Sequence, residues 1–162
     1  MSLEQLAYFA EIIAAIAVVP SLVYLMVQVR QSNAQGRATA RYAFVQAMSD
    51  INLLVAQDKT TASVWRRGLE SPDALDDDEL MQFWMLMGQY GNAWMVMYQL
   101  HQDGMLPENQ WSVVRNDILG ILPSSGGKAF WKMGAKAFDR DFVHYVNALL
   151  ESEEQPYDML AR

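Results

Sequence analysis

One uncharged stretch limits this chain more than any other feature. Leu6 to Val29 is 24 residues, 20 of them apolar, with Glu11 as the only charge, and Ile12 to Val29 carries none. Eighteen helical residues span about 27 Å, close to the thickness of a hydrocarbon core. Ile12, Ile13, Ile16, Val18, Val19, Leu22, Val23 and Leu25 cover the whole circumference of such a helix. A helix apolar on every side belongs in a packed core or in a bilayer. Pro20 stands in mid-segment, where a water-soluble helix loses about 3 kcal/mol and a membrane helix tolerates it better. The start, Met-Ser-Leu-Glu-Gln, lacks a basic leader region, and no small-residue cleavage site follows. The segment therefore reads as a transmembrane helix rather than a cleaved signal.

The flanks give that helix a direction. Only Glu4 is charged before it, whereas Arg30, Arg37 and Arg41 follow it. Basic residues stay on the cytoplasmic side, so the expectation is a single pass through the inner (cytoplasmic) membrane, N-terminus outside and C-terminal domain inside. Glu11 then falls near the outer boundary, either reaching headgroups or making a polar contact between helices. Pro20 is a kink site.

The remainder has an ordinary composition. Hydrophobic residues make up 52% of all 162, but without Leu6–Val29 they are 64 of 138. The formal charge of −7 excludes a basic nucleic-acid binder by composition. Zero cysteines exclude disulfides, thiolate metal sites and cysteine nucleophiles.

Helical spacing runs through the rest of the chain. Over 31–57, Ala34, Ala38, Tyr42, Val45, Met48, Ile51 and Val55 recur every three or four residues. Gly36 is a possible joint. A short helix follows over 60–69, then a Ser-Pro-Asp turn at 71–75. Asp76-Asp77-Asp78-Glu79 opens a long helix, where carboxylates suit the positive dipole end. The cluster lacks the spacing of a calcium loop. Further helices are expected over 107–122, 127–137 and 139–150. No strand-like alternation and no repeat appears. The predicted fold is all-α: an anchor at 1–30 continuing into a cytoplasmic helical bundle at 31–152, with an acidic tail at 153–162.

The stretch from Leu80 to Leu100 is 21 residues without charge. Gln82, Gln89, Asn92 and Gln99 argue against a second span, since polar groups in a membrane need partners. It reads as the buried central helix of the domain. Met85, Trp94 and Met97, with Gly88 and Gly91 permitting close approach, form the candidate interaction or ligand surface.

Catalytic signatures are lacking. Gly126-Gly127-Lys128 has Leu122 and Ala129 where a phosphate loop needs glycine and Ser/Thr, so it reads as a helix start. His101 ends the long helix, and His144 shares a face with Asp141; a metal site needs more ligands. No cofactor and no metal is predicted. The expected function is non-enzymatic: an accessory or scaffold subunit of a membrane assembly. Its expected partners are the bilayer and other membrane-protein subunits or itself, with no nucleic acid. Two alternatives stand beside it, a homo-oligomeric pore or gating element and a module for an apolar ligand or pigment.

The segments AYFAEIIAAIAVVPSLVYLMVQVRQSNAQ, VWRRGLESPDALDDDEL and GGKAFW together resemble a broad family of uncharacterised small bacterial proteins. The resemblance runs from Leu3 to about Leu150. It implies one N-terminal membrane helix and a helical remainder, and no activity. Pro20 stands where such segments more usually carry an aliphatic residue.

Overall fold

The computed structural model describes residues 3–152, apart from the side chains of residues 3, 4, 6, 7, 9–15 and 17. The described residues are all helical, with no strand among them. Six α-helices follow one another: α1 (Leu3–Gln57), α2 (Lys59–Glu70), α3 (Asp77–Gln102), α4 (Glu108–Ile121), α5 (Ser125–Gly134) and α6 (Arg140–Glu151). Single 3₁₀ turns, Pro72–Ala74 and Ala135–Ala137, follow α2 and α5. The acidic tail at 153–162 lies outside the described residues.

Helix α1 runs through both Pro20 and Gly36. Gly36 is not a break, and a Cβ there would meet nothing within 4 Å. Among the described residues, no helix is long and apolar enough to cross a membrane. The expected span, Leu6–Val29, falls partly on side chains outside the description, Glu11 among them. From Ile16 to Val29 the described aliphatic side chains are 45–65% exposed.

Two compact units meet between Thr39 and Ala40. In the second, one stripe of α1 enters the core. Ala40 and Ile51 are buried, and Phe44, Met48 and Val55 pack partly buried against the same cluster. Tyr42 and Val45, expected on this face, are instead 71% and 62% exposed. The helix carries two apolar stripes, and the core takes only one.

Local chemistry sets the other boundaries. Asp58 caps α2, its carboxylate accepting from the Thr61 N–H (2.7 Å) and hydroxyl (2.8 Å). Those bonds hold its pKa below the ordinary carboxylate value. Asp76 and Glu79 form a capping box at the start of α3, where the acidic run sits as expected. Glu79 also pairs with Arg67 of α2. Gly104 (φ 68°) turns the chain after α3, in the left-handed region that glycine adopts without strain.

Helix α3 is the centre of this unit, as its uncharged sequence predicts. Phe83, Met87, Trp94 and Met97 are at most 2% exposed. Aromatic rings link it to the other helices: Trp65 stacks on Tyr90 at 4.9 Å, and Tyr98 lies 5.6 Å from Phe142. Trp131 donates its indole N–H to Asn147 at 2.8 Å, fixing α5 on α6. Glycine sets the closest approach. At Gly126 an added Cβ would overlap the Gly68 carbonyl and reach 2.7 Å from Phe83 Cζ.

Candidate functional site

The five residues expected to form one surface on α3 divide between core and solvent. Trp94 and Met97 are buried in the core, whereas Met85 is 62% exposed. Gly91 is filled by the Phe138 ring, while a Cβ at Gly88 would meet nothing within 4 Å. Only Met97 of the five reaches a groove of about 360 Å³ against α1, beside Ala43, Ala47, Ala93 and Val96. The reason is helical spacing. Met81 and Met85 lie one turn apart on the outer stripe, and Trp94 lies nine residues beyond Met85, about 180° round the helix.

Behind that surface is a polar pair that sequence reading did not find. The Trp94 indole N–H donates to the Asp117 carboxylate of α4 at 3.3 Å. Burial raises the pKa of Asp117 above the ordinary value, and the Trp94 bond opposes that rise. Nearby, the Tyr90 hydroxyl donates to Asn52 of α1 at 2.9 Å. Burial, with Asp117 close by, pushes the Tyr90 phenol up to about 12. The signal was present: Asp117 lies three residues after Val114 and four before Ile121, on the apolar line of α4. What spacing could not supply was its partner on another helix.

The most polar concavity is a cleft of about 770 Å³ where the end of α3 faces α6. His144 and Asp141, paired in the sequence reading, both line it, with Asp103, Asp139, Tyr98 and Tyr145. Burial, then the charge of Asp141, raises the pKa of Tyr98. The cleft is electronegative and suits a cation better than an anion. Among the described residues, no group of three or more His, Asp or Glu is placed to hold a metal ion.

His101 has structural partners. Its ring stacks on Trp111 at 5.2 Å, and Nδ1 lies 3.0 Å from the Leu106 carbonyl. Nε2 lies 3.5 Å from Glu108. Together these contacts tie the Gly104 turn to the start of α4. Gly127 of the Gly-Gly-Lys sequence gives its N–H to Ser124 Oγ at 2.9 Å, as expected for a helix start. Arg30, Arg37, Arg41 and Pro20 are all exposed on α1, and the Glu11 side chain lies outside the described residues.

These features define an all-α protein with an aromatic-rich helical unit and a long, apolar N-terminal helix. No protein-family model, curated protein or solved structure matches the chain.

Proposed function

We propose that this chain is a membrane-anchored, non-enzymatic helical interaction module, an accessory or scaffold subunit of a membrane protein assembly. One observation carries the reading: the helical segment Leu6–Val29 is apolar around its whole circumference. Ten large apolar side chains from Ile16 to Val29 are 45–65% exposed. Leaving half of each in water forfeits about 1 kcal/mol per side chain, against 1.5–3 kcal/mol for full burial. A protein groove covers one face of a helix, whereas a bilayer covers all of them. The described residues by themselves fall short of a span, so the reading rests on the full sequence of the segment. Arg30, Arg37 and Arg41 support a cytoplasmic C-terminal side. Kinship with small, membrane-anchored bacterial proteins belongs to the same proposal.

The test is alkaline carbonate extraction of membranes from cells expressing the full chain. Retention in the pellet, with release only by detergent, supports the anchor. Complete release at high pH overturns it. Mild-detergent purification followed by mass analysis then identifies any co-purifying subunit.

A further inference from the structure

Residues of α1 spaced alternately by three and four positions lie on one face of the helix. Within the described side chains, one such line is Ser21, Tyr24, Gln28, Gln31, Gln35 and Ala38. The residues from Tyr24 to Ala38 on this line are exposed. Its sequence is uncharged, and three of the six are amides. Followed towards the N-terminus, the spacing continues through Ala17, Ala14, Ala10 and Ala7. Of the six alanines and serines between Ala7 and Ser21, only Ala15 is off the line. The isoleucines and valines occupy the other faces. Met26, Asn33 and Arg37 are on the opposite side, and Arg30 is well away from the line.

Resting on the membrane reading above, we propose that this face of α1 docks a second copy of the same chain, parallel and in register. Charge selects that occupant. A charged stripe repels its own copy, but a carboxamide both donates and accepts, so glutamine facing glutamine is complementary to itself. With Arg30 and Arg37 off the line, pairing brings no cations together. The alternating spacing averages 3.5 residues, the repeat that keeps one seam facing a partner in a left-handed helix pair. In register, small residues face small residues where close backbone approach drives association in lipid, and amides face amides beyond it. Gln28 Nε2 donates to the Tyr24 hydroxyl at 3.0 Å, joining two positions of the face in one polar step. Two copies anchored by the same segment also share one direction across the bilayer, which makes the pair parallel.

The chain has no cysteine, so single-cysteine variants of the full-length protein report contact directly. The set is Tyr24→Cys, Gln28→Cys, Gln31→Cys and Gln35→Cys on the face, with Met26→Cys, Asn33→Cys and Arg37→Cys opposite. All are exposed positions, so folding is preserved. After oxidation in isolated membranes, the expected disulfide-linked dimer yield is roughly tenfold higher on the face than opposite it, because only facing side chains meet disulfide geometry. Equal yields, a maximum at 26, 33 and 37, or no dimer anywhere overturns the pairing. Linkage at a single position of the face overturns the parallel register, and an adduct of another mass overturns the choice of occupant. Carbonate extraction of the same samples separates the two proposals. Chains retained in the pellet without periodic linkage sink the pairing and leave the anchor standing. Chains released into solution sink the anchor, and with it the parallel direction.

Discussion

Gly126 of α5 packs against the backbone of Gly68 of α2, so that a Cβ on either residue collides with its surroundings. At residue 68 the added carbon would overlap the Phe83 ring, which is fully buried and has nowhere to move. The two glycines fix how closely α2 and α5 approach.

Alanine at either position is expected to destabilise the protein by about 1–3 kcal/mol or more, the usual effect of overpacking. Gly88 of α3 is the control. A Cβ there meets nothing within 4 Å, and alanine gains up to about 1 kcal/mol of helix propensity. Thermal unfolding of the full chain, followed by helical circular dichroism, should move in opposite directions for Gly126→Ala and Gly88→Ala.

Asp117 gives a pH dependence with a definite sign. Its pKa is raised in the folded state, so the folded protein holds the proton more tightly than the unfolded chain. Its stabilising contribution is complete below the ordinary carboxylate pKa of 3.8 and is lost as pH rises through the folded value. Asp117→Asn keeps an oxygen to accept from Trp94 and removes the buried charge. The variant should be more stable than the parent at neutral pH, and the advantage should vanish in acid. Denaturant melts across the pH range measure both.

Tyr90 has the same sign at the alkaline end. Its phenol titrates near 12 when folded, against 10 when unfolded. Stability should therefore fall as pH rises from about 10 to about 12. In Tyr90→Phe this step disappears, and an absorbance titration should lose its last-ionising tyrosine.

The capping box at Asp76 predicts a modest loss. Its carboxylate accepts from the Glu79 N–H at 2.9 Å, and the Glu79 side chain returns a bond to the Asp76 N–H. Asp76→Ala is expected to cost about 1 kcal/mol, within the usual range for N-caps. Asp77→Ala should cost less, since it carries no cap bond. Paired denaturant melts compare the two.

Exposure divides the methionine-rich face of α3. Met85→Ala should change stability by no more than about 0.5 kcal/mol, as at most surface sites. Met97→Ala should cost about 2–5 kcal/mol, as for other buried large-to-small changes. Similar losses at the two sites would show that Met85 is covered.

Much of the fold follows from local chemistry that sequence states directly. Asp58, Asp76 and Ser124 cap helices with their own side chains, and Gly104 supplies the positive φ that ends α3. These rules operate within a few residues, so α2, α3 and α5 could be placed from spacing and caps alone. The long uncharged segment of α1 was legible for the same reason, because an apolar surface on every side needs no partner to be recognised. Tertiary structure alone decided which of two apolar stripes on α1 entered the core, leaving Tyr42 and Val45 outside. It also separated Met85 from Trp94, joined Trp94 to Asp117 across 23 residues, and brought His144 to the same cleft as Asp103. Periodicity shows which residues share a face. Burial and pairing depend on what another helix presents to that face, and here that was settled by aromatic packing around α3.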